Sequence, residues 1–122
     1  MSSKHYKLGN LVVFVDRNRM SLDGKTEELM PLEPVADKWR AFGWNVVEVD
    51  GHSMEQLRAR SRRSSAYRQR CTNVIIGNTV KGRGVSFMEN VTSWHAGRIT
   101  EEQLILAKTE LLEAFNKKWG VE

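Results

Sequence analysis

The chain has 122 residues, 40% of them hydrophobic and 28% charged, with two prolines; this is the composition of a globular protein with one real core, not of a disordered tail or a collagen-like repeat. Its 19 Lys and Arg against 15 Asp and Glu give a net charge of +4, and the excess is local: no acidic residue lies between Glu55 and Glu89, whereas Arg58, Arg60, Arg62, Arg63, Arg68, Arg70, Lys81 and Arg83 do. No apolar run approaches the ~20 residues of a membrane-spanning helix, the start lacks an apolar signal region, and a lone Cys71 makes neither a disulfide framework nor a metal cluster, so a cytoplasmic protein is expected.

Leu11 to Asp16 is a continuous apolar, β-branched run, which predicts a strand buried on both faces and therefore parallel to its neighbours. Pro34 and Gly43 bracket a helix over about 34–42 that carries Val35, Trp39 and Phe42 on one face. Asn45 to Asp50 reads as a second strand. Ser53-Met54-Glu55-Gln56 is a capping box opening a crossover helix. The apolar face of that helix starts with Met54 and Leu57 and then meets Ser61, Ser64, Ser65 and Arg68. A helix covering a parallel sheet buries such residues at a cost of roughly 1–3 kcal/mol each. Asn73 to Asn78 is the third strand. Thr100-Glu101-Glu102-Gln103 is a second capping box, with Ile99 placed to staple against Leu104. Leu104, Ala107, Leu111, Phe115 and Trp119 form the last helix's stripe, most simply packed on the sheet.

The expected fold class is therefore α/β, a partial open parallel sheet of about three strands with crossover helices. Nothing precedes the first strand to cover its edge, and an open edge of apolar strands invites pairing. Either the chain docks onto a partner or it is a piece of a larger domain.

In open α/β sheets ligands sit beyond the carboxyl ends of the strands. Lys81-Gly82-Arg83-Gly84 follows the third strand and combines backbone freedom with two cations. This chemistry suits phosphate, although the spacing is neither a Walker loop nor a dinucleotide fingerprint, and spacing alone favours a solvated turn with two surface cations. Asn18, just past the first strand, offers an amide oxygen to a hard cation such as Mg²⁺, or is an ordinary turn residue. His95 is either a proton carrier and phosphate donor or a structural histidine beside Trp94.

Taken together, Asn10-Leu11-Val12-Val13-Phe14-Val15-Asp16-Arg17-Asn18-Arg19 with Asp23-Gly24, then Lys38 to Trp44 running into Val49-Asp50-Gly51-His52, then Asn78 to Glu89, and Trp94-His95 closely resemble transketolase. The part resembled is the second half of the thiamine diphosphate-binding domain, as in the N-terminal subunit of transketolases made of two chains. On this resemblance residues 1–122 are the C-terminal part of that domain, truncated at its N-terminus. The resemblance implies thiamine diphosphate, Mg²⁺ or another divalent cation, and transfer of a two-carbon ketol unit from a ketose phosphate to an aldose phosphate. It makes Asn18 a metal ligand through its side chain and Met20 one through its backbone carbonyl. Lys81 would contact the cofactor, and His95 would lie at the diphosphate and the substrate as the catalytic histidine. It also implies a C-terminal subunit that supplies the pyrimidine-binding domain, and a dimeric assembly.

The departures are specific. The family's Gly-Asp-Gly metal-binding motif does not occur here, nor do its upstream substrate-channel histidines or its pyrimidine-binding domain, so the chain alone is expected to be inactive. Similarity lapses from Arg58 to Cys71 and resumes at Asn73. A pair of compensating frameshifts would produce that pattern, and so would a divergent surface helix. Two further readings are a non-catalytic remnant of the fold and an arginine-rich nucleic-acid surface over Arg58 to Arg70. The second lacks interleaved stacking aromatics apart from Tyr67.

Overall fold

A computed structural model describes residues 1–66 and 72–120, and of residues 63–66 the backbone alone. In chain order the elements are α1 (Ser2–His5), β1 (Val12–Arg17), α2 (Thr26–Leu29), α3 (Val35–Ala41), β2 (Asn45–Asp50), α4 (Met54–Ala66), β3 (Asn73–Asn78), a 3₁₀ turn (Thr92–His95) and α5 (Glu101–Trp119). They group into two compact units. The first is Met1–Arg19 with Met30–Thr79, and the second is Met20–Leu29 with Val80–Glu122.

The first unit is built on a parallel sheet of order β1-β3-β2. The three strands and their parallel sense are as the sequence predicts. Burial on both faces holds for β3 alone, in which Asn73 to Gly77 are all buried. β1 alternates, and Phe14 is 50% exposed. The reason is position: the last strand in sequence lies between the other two, so β1 and β2 are edges and each keeps one open side.

The register aligns Val13 and Val46 with Val74, and Val15 with Ile76, on one face. Val74, Ile76 and Trp44 form the buried cluster there, with Val35, Ala36 and Trp39 of α3 packed against it. Trp39 and Trp44 meet edge to face, their centroids 4.8 Å apart. α3 has the bounds expected, with Pro34 at its N-cap and Gly43 at φ +78° just past its end. Phe42, placed on its apolar face, is instead half exposed at the C-cap. α4, in the crossover from β2 back to β3, packs against all three strands.

The α4 capping box is half formed. Ser53 Oγ accepts from the Gln56 N–H at 3.3 Å, whereas the Gln56 side chain accepts from the Asp50 N–H at 3.2 Å and so ties the helix to the end of β2. Met54 is exposed, Leu57 is half buried, and Arg58, Arg60, Ser61 and Arg62 face solvent. Of the polar residues expected on the buried face, Ser61 is exposed, so the conflict does not arise there, and Ser64, Ser65 and Arg68 lie outside the described side chains, as do Arg63, Tyr67, Arg70 and Cys71 of the arginine-rich run.

Thr72, 2% exposed, introduces β3, and its hydroxyl is buried with no hydrogen-bond partner among the described residues. Replacing it by the isosteric valine removes the desolvation cost of that group. Thr72→Val is expected to raise stability by about 1 kcal/mol, read as a higher urea midpoint at unchanged slope. A lower midpoint would mean that the hydroxyl is satisfied.

In the second unit α5 opens with the full capping box. Thr100 Oγ1 accepts from Gln103 N–H at 3.3 Å, and the Gln103 side chain accepts from Thr100 N–H at 3.0 Å. The expectation that its stripe is buried is corrected. α5 falls in the second unit, and of the stripe only Ala107 is buried, while Leu104, Leu111, Phe115 and Trp119 are exposed. Ile99 is exposed as well. A 3.6-residue period fixes that one face is apolar, not which surface meets it.

Candidate functional site

In the first unit the carboxyl ends of the strands bring Arg17, Asn78 and Asp50 side by side. Beyond them Thr79 N–H donates to Arg17 O at 3.3 Å and Gly51 N–H to Asn78 O at 2.8 Å, which carries the sheet pairing one residue further. A Cβ at Gly51 would lie 2.4 Å from Thr79 Cγ2, so this approach needs glycine. Thr79 Oγ1 donates to the Asp16 carboxylate. The Asp50 carboxylate accepts from His52 N–H at 2.9 Å and so fixes the turn after β2.

Arg17 is 5% exposed and pairs with Glu33 at 2.9 Å. The other oxygen of Glu33 accepts from the Val35 N–H at 3.0 Å and pins the start of α3 to the end of β1. Asn18 follows this anchor, half buried, and Arg19 then turns the chain with φ +62°. Asn18 thus stands where the sequence places it, just past the end of β1.

The other three predicted residues belong to the second unit. Met20 bridges Lys25 across a short turn closed by Ser21 N–H donating to Gly24 O at 2.7 Å. Lys81 is half buried and opens a folded loop whose ends are joined by Asn90 N–H donating to Lys81 O at 2.9 Å. Gly82 and Gly84 have φ +74° and +90°. Their freedom serves the loop itself: a Cβ at Gly82 would meet the Met88 carbonyl oxygen at 2.5 Å. Gly84 N–H, a donor that a phosphate would otherwise attract, donates to Glu89 Oε1 at 2.9 Å. Arg83 is exposed.

His95 ends the 3₁₀ turn with its side chain exposed. The structural residue there is Trp94, whose indole N–H donates to Phe87 O at 2.9 Å and whose ring lies 5.4 Å from that of Phe87. Lys81 and His95 are thereby tied into one continuous hydrogen-bonded segment, whereas Asn18 lies in the other unit.

Two residues escaped the sequence reading. Glu89 is the first acid after the long acid-free stretch, and it closes on Gly84. Glu110 sits at the margin of the α5 stripe beside Leu111 and takes both the N–H (2.8 Å) and the hydroxyl of Ser86. The Ser86 hydroxyl, and then its N–H, hold the Glu110 carboxyl below the usual carboxylate range. An acid flanking an apolar stripe is the signal that would have marked it.

Among the described residues no group of three or more His, Cys, Asp or Glu side chains could hold a metal ion, and no helix is long and apolar enough to cross a membrane. The two oxygen donors that the family resemblance names, the Asn18 amide and the Met20 backbone carbonyl, are neutral. They fit Mg²⁺ in kind but supply only part of its shell.

The chain matches the family model for transketolase, thiamine diphosphate binding domain, over residues 2–121. It is 44% identical over 117 residues to one of the subunits of the apulose-4-phosphate transketolase of Phocaeicola vulgatus, a match that covers 96% of this chain and 41% of that protein. It is 39% identical to the 6-deoxy-6-sulfo-D-fructose transketolase subunit SqwG of a Clostridium species, covering 86% and 38% respectively. It thus spans about two fifths of the length of these relatives. Among solved structures, the transketolase of Campylobacter jejuni superposes with a TM-score of 0.79 at 24% identity, over 90% of this chain and 17% of that one. That of Leishmania mexicana gives 0.63 at 21%, over 98% and 21%. A parallel strand set with its crossover helices, matched to one family from residue 2 to residue 121, places this chain in the transketolase thiamine diphosphate-binding domain family.

Proposed function

We propose that this chain forms part of the diphosphate-binding site of a transketolase that moves a two-carbon ketol unit from a ketose phosphate to an aldose phosphate. The observation that carries the reading is the family match across residues 2–121. The names of the relatives, a sugar phosphate in one and a sulfonated sugar in another, support an anionic sugar as substrate. Bound thiamine diphosphate would supply the nucleophilic carbon and the electron sink for carbon–carbon bond cleavage.

The work of the chain's own residues is binding and orientation. Asn18 through its amide oxygen and Met20 through its backbone carbonyl would hold Mg²⁺. Lys81 would set a positive charge at the diphosphate, and His95 would donate to a phosphate oxygen or carry a proton between solvent and substrate. Both of these relatives are named as subunits of their transketolases, which supports a second chain that completes the enzyme, in a dimeric assembly as the family resemblance implies.

Titration of the full chain with thiamine diphosphate and Mg²⁺, with and without a C-terminal transketolase subunit, tests this. Saturable binding is expected, weakened about tenfold by Lys81→Ala, with turnover only when the second chain is present. Turnover by the chain alone would overturn the need for a partner. The lack of a carboxylate cluster among the described residues favours a second reading, a non-catalytic remnant of the fold; on that reading substitution of Asn18 or Lys81 changes no measurable binding.

A further inference from the structure

We propose that Glu110 of α5 is a positioning residue for the loop that carries Lys81, its carboxylate holding the loop through Ser86 in the shape that presents its cations to a diphosphate. The inference deepens the function proposed above and rests on it for the nature of the ligand. The geometry is local to the second unit. One carboxylate oxygen of Glu110 takes the Ser86 N–H at 2.8 Å and the other takes the Ser86 hydroxyl. A side chain of fixed shape is thus engaged at both ends, as in other bidentate carboxylate contacts. The next residue on the helix adds a second hold: Leu111 Cδ2 lies 3.1 Å from where a Gly84 Cβ would stand.

Other fastenings of the loop among the described residues are internal to its own segment. Lys81 O takes the Asn90 N–H, Gly84 N–H meets Glu89, and the Trp94 indole reaches Phe87 O. These define the loop's own fold; Glu110 and Leu111 attach that fold to a 19-residue helix. Lys81 and Arg83 lie on the held segment, so the attachment bears on how much order the chain must lose when it binds an anion.

The charged groups lining the open depression around this contact are Glu89 from the loop and Glu113 and Lys117 from α5. Protonation of Glu110 places a hydrogen on one of the two oxygens that accept from Ser86 and removes acceptor capacity there. Its depressed pKa means that the contact is present above the ordinary carboxylate range and is lost as pH falls through the folded-state value.

Hydrogen exchange on the full chain, as protection factors, together with thiamine diphosphate titration in Mg²⁺, decides the matter. In Glu110→Gln, whose amide offers one acceptor and sets an NH₂ against the other donor, amides of residues 84–89 are expected to lose protection about tenfold. Amides of α5 should keep theirs, and thiamine diphosphate affinity should fall by a similar factor. Wild-type loop protection should decline on acidification while that of Glu110→Gln stays low and flat. Glu89→Gln, which touches Gly84 instead, should leave the Ser86 amide's response to acid in place. Unchanged loop protection in Glu110→Gln would overturn the proposal, as would a loosened loop with unaltered affinity. If the wild-type chain itself binds no thiamine diphosphate, the function proposed above fails, and exchange alone then decides whether Glu110 holds the loop.

Discussion

Ile76→Ala lowers the stability of the first unit by about 3 kcal/mol. Ile76 is 2% exposed in the central strand, inside the cluster it makes with Val74 and Trp44. Truncation removes apolar atoms from a site flanked by Val15 on one neighbouring strand and Glu48 on the other, with α3 packed on the same cluster, and parallel pairing leaves the backbone little room to close the void. Phe14→Ala, which deletes a larger side chain, is expected to cost less because that ring is 50% exposed. Urea dependence of hydrogen exchange at the β3 amides reports the first unit separately from the second. A loss below 1 kcal/mol for Ile76→Ala, or a reversed order of the two variants, would show that the core is not where the strand register puts it.

Gly82→Ala is expected to cost about 3 kcal/mol in the second unit and to weaken any diphosphate binding by tenfold or more. Two costs combine. A left-handed φ of +74° costs an L residue roughly 1–2 kcal/mol. The new methyl group would also lie 2.5 Å from the Met88 carbonyl oxygen and 2.6 Å from its carbon, backbone atoms that move only if the loop opens. Two other glycines separate the causes. Gly84→Ala has a comparable φ but meets the flexible end of Leu111, and Gly120→Ala has φ +63° with nothing within 4 Å. The order of destabilisation should be Gly82, then Gly84, then Gly120, by thermal unfolding of each single variant. Equal effects at Gly82 and Gly120 would leave backbone strain as the whole cause.

Elements with one dominant local cause are legible in the sequence. β1, β2 and β3 follow from β-branched runs too short for helices, and α3 and the start of α5 from proline, glycine and a capping box. What stays dark at that level is set by neighbours distant in the chain. Continuous apolarity in Val12 to Val15 does not say that β1 is an edge, because edge or centre is decided by where β3 inserts. The α5 stripe names an apolar face but not its cover. The position of Asn18 just past the end of β1 is legible as well. The glycines of the Lys81 loop read as room for a ligand, yet their space is taken by Met88 and the Gly84 N–H by Glu89, contacts that a local pattern of Gly and Lys does not reveal.

The strand order also fixes the sequence of events by which the sheet is assembled. β1 and β2 never bond to each other; every ladder hydrogen bond in the sheet has β3 on one side, and Val12 finds Asn73 only across the whole intervening chain. During synthesis β1 and β2 are therefore both made before residues 73–78, the ladder partner they share, with α3, which packs against β2, made between them. During that interval their edges are open to other chains. The stretch between β2 and β3 thus acts as a timer, since its length sets how long the unfinished sheet stays exposed, independently of anything its arginines contact once folding is complete.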